Sequence, residues 1–143
     1  MKIPLIDRSN YLKGLFITAK LDKELSQKEK DILKKISDKL GFASDFYDET
    51  VRSLLINKYI KDEPITFSDK EIASSFLCDA VKLACANDFV TEAEVSFLKN
   101  TASANGINQE LIDKELKSYK DSPKYFFSKD FALFSIIWQN TPA

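Results

Sequence analysis

Between residues 27 and 40 the apolar positions are Ile32, Leu33, Ile36 and Leu40, and Lys28, Lys30, Lys34, Lys35 and Lys39 fall mostly off their line. Steps of one, three and four place the apolar side chains on one stripe of a 3.6-residue helix and leave the lysines to water. The same period predicts seven helices, over about 9–20, 27–40, 45–59, 69–86, 92–105, 109–120 and 129–139. Start signals agree with these stripes. "SQKE" (Ser26–Glu29), "SDKE" (Ser68–Glu71) and "TEAE" (Thr91–Glu94) have the capping-box pattern, in which the hydroxyl accepts from the N3 amide and the glutamate accepts from the N-cap amide. Each such cap contributes about 1 kcal/mol. Gly41 ends the second helix as its C′ residue. Pro64, in "KDEPITFSD", stops any helix from running through 61–69. "PLI" and "PITF" are too short and isolated to build a sheet. The expected fold class is all-α.

The pattern is doubled. "DKELSQKEKDIL", from Asp22, returns 65 positions later as "NDFVTEAEVSFL", from Asn87, and the alignment runs without a gap from Leu12 to Leu54. Leu12 meets Leu77, Ala19 meets Ala84, Ser26 meets Thr91, Glu29 meets Glu94, Leu33 meets Leu98 and Gly41 meets Gly106. The agreement falls where local physics is strict: the small residue before the turn, the cap, the box glutamate, the core stripe and the C′ glycine. One copy cannot bury its apolar face alone, so the two pack together. The expectation is one domain over 1–143, a pseudo-twofold bundle of two three-helix repeats (about 9–60 and 69–120) around a joint at 61–68, with a C-terminal helix within about 121–139. "DKEIASSFLCDAVKLACA", apolar over a wide arc, is the expected central helix.

Composition narrows the function classes. The hydrophobic fraction is 44%, with 11 Phe, 5 Tyr and 1 Trp, enough for a core. A net charge of −1 gives no footprint for nucleic acid. Histidine is absent, which removes Ser-His-Asp and Cys-His catalysis and His-ligated zinc. Without a phosphate-cradling glycine loop or a nucleophile–base pair, a non-enzymatic protein is expected, a carboxylate-only hydrolase being the one catalytic version left. Cys78 and Cys85 lie seven apart on one helix, too far to bridge, and read as small buried residues. The start has no apolar run of signal-peptide length, and "FALFSIIW" is too short to span a bilayer, so a soluble cytoplasmic protein is expected.

The two phrases Ala19, Asp22, Leu25, Ser26, Glu29 and Ala84, Asn87, Val90, Thr91, Glu94 resemble the signature of the TerB-like (tellurite-resistance) family: alanine, two residues, Asp-Gly, a residue, an aliphatic, Ser/Thr, two residues, Glu. Lys23 and Asp88 stand where that pattern has glycine, and Asn87 where it has aspartate. The resemblance, over roughly 9–120, implies an all-α domain of two repeats in a stress-response or envelope-associated system. It also implies a divalent cation, calcium, magnesium or manganese, held weakly at Asp22, Glu29, Asn87 and Glu94, to which the neighbouring acids Glu24 and Asp88 are added as candidates. Such hard ions want oxygen ligands, whereas acids at helix starts also complement the helix dipole with no ion at all. A complete EF-hand loop is excluded, because its first and third ligands would be Thr18 and Lys20, and Leu83 and Cys85 in the echo.

The C-terminal stretch places Phe127, Phe131, Phe134 and Trp138 at i, i+4, i+7 and i+11, one helical face. This face either closes the bundle or docks a protein partner. The expected function is a non-enzymatic helical interaction module; the alternative is a structural protein that dimerises through these aromatics.

Overall fold

The computed structural model describes residues 3–21, 26–56, 63–86 and 90–139. Among them are eight α-helices and no strand: α1 (Leu5–Lys20), α2 (Gln27–Lys39), α3 (Ser44–Ile56), α4 (Lys70–Cys85), α5 (Glu92–Ala104), α6 (Glu110–Asp121), α7 (Pro123–Ser128) and α8 (Ala132–Gln139). The all-α expectation holds. No helix of the described residues is long and apolar enough to cross a membrane.

The doubling reaches the level of single bonds. α1 and α2 recur as α4 and α5 with both ends displaced by the same 65 positions as the sequence. Ser26 Oγ accepts from the Glu29 amide (3.2 Å) and Glu29 Oε1 from the Ser26 amide (3.1 Å); Thr91 and Glu94 repeat the box at 3.1 and 2.9 Å. At the far end Gly41 (φ 89°) and Gly106 (φ 68°) enter the left-handed region that favours glycine. There the Phe42 amide reaches back to the Ser37 carbonyl (3.1 Å) and the Ile107 amide to Ala102 (2.9 Å), so both helices close on the same motif.

The core contacts obey a twofold relation. α1 packs on its counterpart α4, and Tyr11 meets its own equivalent, Phe76, edge to face at 5.5 Å. Gly14 lies so close to Phe76 that an added Cβ would stand 2.5 Å from its Cζ. The equivalent of Gly14 is Asp79, and Asp79 contacts Tyr11, the equivalent of Phe76. Reciprocal pairs of this kind characterise an isologous interface. α4 is the most enclosed helix, buried along nearly its whole length from Ile72 to Cys85, and it also carries α5, α6 and α8.

Three local features differ from the sequence reading. α1 starts at Leu5, one residue after Pro4, not near residue 9. The "SDKE" box does not form: Asp69 is the N-cap and accepts from the Glu71 amide (2.6 Å), while the Ser68 amide (3.0 Å) and hydroxyl both donate to buried Asp7. A tertiary carboxylate has outcompeted a local cap for the serine. The C-terminal segment is two helices, α7 and α8, with a bend at 129–131.

Candidate functional site

The bend is built from α4. Asp79, 1% exposed, accepts from the Ala132 amide (2.6 Å) and the Leu133 amide (3.1 Å), satisfying from another helix the free donors that open α8. Its Oδ2 also accepts from the Tyr11 hydroxyl (2.5 Å), which contacts Ser75 Oγ at 2.8 Å. One turn on, Lys82 Nζ donates to the Lys129 and Asp130 carbonyls just before α8. Lys82 also lies over the rings of Phe131 (5.0 Å) and Phe126 (5.9 Å). Asp79 and Lys82, three apart on one face, thus fix where the chain turns back.

Burial sets the ionisation of this pair. Desolvation pushes the Asp79 carboxyl up to about 6, against the opposing pull of Tyr11, the two amides and Lys82. Desolvation, then the Asp79 charge, raises the Tyr11 phenol well above its ordinary value. Lys82 is held below the usual lysine value by burial, partly offset by Asp79, Asp130 and Glu115.

Between α2 and the returning segment lies a cleft of about 670 Å³. Ile32, Lys35, Asp38 and Lys39 form the α2 wall. Phe127, Ser128, Lys129, Asp130, Phe131 and Phe134 form the other, with Lys82 also lining it. Lys39 Nζ stands 5.2 Å from the Phe134 ring centre, and Phe127 is 39% exposed. Of the four aromatics singled out from the sequence, three therefore meet at one cleft although they sit on two helices and a bend; the side chain of Trp138 lies outside the described residues.

The corresponding region of the other half is bonded differently. In the other half, the joint segment 63–68 crosses α1 as α8 crosses α4, with Ile65 against Gly14. There Asn105 stitches the seam: its amide donates to the Ile65 carbonyl (2.7 Å) and its oxygen accepts from the Phe67 amide (2.8 Å). The residue equivalent to Asn105 is Leu40. Leu40 is 2% exposed in the core and has no hydrogen-bonding side chain, so the side-chain bonds of Asn105 have no counterpart at the end of α2.

The proposed acidic turns are seen only in part. Asp22, Glu24, Asn87 and Asp88 lie outside the described residues. Glu29 and Glu94 are both 0% exposed, each with one carboxylate oxygen in its capping box. Among the described residues no three acidic, cysteine or histidine side chains gather as a metal group. Cys78 and Cys85 are free thiols, both pushed up to about 12, first by burial and then by nearby carboxylates, Glu115 for Cys78 and Glu94 for Cys85.

Sequence reading missed Tyr11, Asp79 and Lys82. A signal was present: Asp79 and Lys82 are the only charged residues in the apolar stretch from Ile72 to Ala86. Charges there demand buried partners. Compared with family models, curated proteins and solved structures, the chain finds no match in any of the three.

Proposed function

We propose that this protein is a non-enzymatic helical module that binds a protein partner through the cleft between α2 and the C-terminal segment. The observation that carries the reading is that Phe127, Phe131 and Phe134, from two helices and a bend, line one cleft with Lys35 and Lys39. Aromatic rings beside cationic groups are favoured contributors to interface energy. The resemblance of its two turn phrases to TerB-like repeats is what supports a role in a stress-response or envelope-associated system. The test is a photo-crosslinking side chain at position 127, with a control at Lys99 on α5, in cells that produce the protein. A discrete partner at 127 alone, lost on Lys39→Glu, supports the reading. Equal yield at both positions, or none at 127, refutes it. A crosslink between two copies of the chain, with a dimer mass that falls on Phe131→Glu, would select the self-associating alternative.

A second reading is favoured by the complete burial of both Glu29 and Glu94. In it the two turns hold a hard divalent ion that tunes the module. Glu29→Gln/Glu94→Gln keeps the capping boxes, since glutamine serves at N3 as well. A saturable rise in melting temperature with calcium, magnesium or manganese, lost in the double variant, supports the ion. No rise at millimolar ion removes it.

A further inference from the structure

We infer that the cleft between α2 and the C-terminal segment takes an acidic peptide segment with an aromatic or aliphatic anchor residue; this rests on the reading of the protein as a binding module. Four lysines line the cleft, Lys35, Lys39, Lys82 and Lys129, against two carboxylates, Asp38 and Asp130. Among the described residues Lys35, Lys39 and Lys129 are in no ion pair. Their charge is not neutralised internally, although the whole chain is slightly negative. The local sign therefore selects a negative partner.

The arrangement also selects its shape. A compact anion such as phosphate is best held by helix-opening amides or by converging buried donors. Here the α8 amides of Ala132 and Leu133 are taken by Asp79, and Lys82 is committed to two backbone carbonyls. The lysines left over are spread along α2 and the bend, which suits carboxylates distributed along a chain. The Phe127, Phe131 and Phe134 rings on the wall opposite α2 offer an apolar seat for one side chain of that segment. A flat anionic surface would meet the rim lysines but would not reach Phe131 or Lys82.

The test is selection of a displayed random-peptide library on the intact protein, followed by affinity measurement on wild type and Lys35→Glu/Lys39→Glu. Both lysines are exposed, so the variant keeps its fold, checked by circular dichroism. The expected ligands are net acidic and contain an aromatic or aliphatic residue. Their affinity falls at least roughly tenfold in the variant and weakens with added salt. Phe127→Ser gives an independent loss. Neutral or basic ligands, or acidic ones indifferent to the charge reversal, overturn the inference while leaving a binding module in place. Displacement of the peptide by inorganic phosphate at constant ionic strength overturns it too, since that marks a compact-anion site. Enrichment of no peptide overturns both this inference and the binding-module reading.

Discussion

Replacing Asp79 tests the anchoring of the C-terminal segment. Its carboxylate accepts three hydrogen bonds, from Tyr11, Ala132 and Leu133, in a buried place. Bonds to a charged group contribute about 1.5–3 kcal/mol each, so Asp79→Ala removes roughly 4–9 kcal/mol of interaction. Against this, the folded carboxyl titrates near 6 instead of its ordinary 3.8. Keeping it ionised at neutral pH therefore costs about 3 kcal/mol, at 1.36 kcal/mol per pH unit, and alanine escapes that cost. The net expectation is a loss of about 1–6 kcal/mol. Asp79→Asn keeps the shape and one acceptor oxygen but turns its NH2 toward a donor, and loses about 1–3 kcal/mol where the carboxyl is protonated. The pH dependence has a definite sign. Because the folded value is raised, the stability that Asp79 contributes is present below about 3.8 and lost as pH rises through about 6. Urea unfolding of wild type and Asp79→Asn from pH 4 to 7 isolates this effect: the asparagine variant gains on wild type by about 2 kcal/mol across the range. A constant gap, or one that moves the other way, would refute the claim that desolvation outweighs the three donors. Wild-type stability in Asp79→Ala would refute the anchoring itself.

Three further outcomes follow from the packing. Gly14→Ala should destabilise by about 1–3 kcal/mol through overpacking against Phe76, although the same change in an open helix gains about 1 kcal/mol; a raised melting temperature would contradict the close α1–α4 crossing. Asn105→Leu, which copies Leu40 into the other half, should cost about 1–3 kcal/mol per donor or acceptor left without its partner at Phe67 and Ile65; faster amide exchange over 63–68 would confirm that the seam has opened, and unchanged exchange would deny its role. Both cysteines, with thiols near 12, should react slowly with a disulfide reagent at neutral pH, buried Cys85 more slowly than half-buried Cys78; fast labelling of Cys85 in the native protein would refute its burial.

What was legible in the sequence was the chemistry that acts over four residues. The capping boxes at Ser26 and Thr91 and the C′ glycines Gly41 and Gly106 can be read from local pattern, because each is satisfied by its own neighbours. They fixed the 65-residue doubling and most helix ends. The failures came where a distant group intervened. Ser68 looked like a cap until Asp7 took its hydrogen bonds. The aromatic run from Phe127 to Phe134 has helical spacing throughout, yet Asp79 and Lys82 break it at the bend. The cleft was invisible for the same reason. Its aromatic wall forms only where Asp79 and Lys82, distant in sequence, hold the bend opposite α2.

The central claim, that the cleft beside α2 is the recognition surface, is tested most directly by amide chemical-shift mapping of the intact protein with the tightest acidic peptide from the library. The account predicts shifts concentrated on Ile32–Lys39 and on 127–134, saturating together and absent in Lys35→Glu/Lys39→Glu. Shifts centred instead on the groove between α1 and α3, lined by Phe16, Phe42 and Phe46, or on the doubled turns, would contradict it.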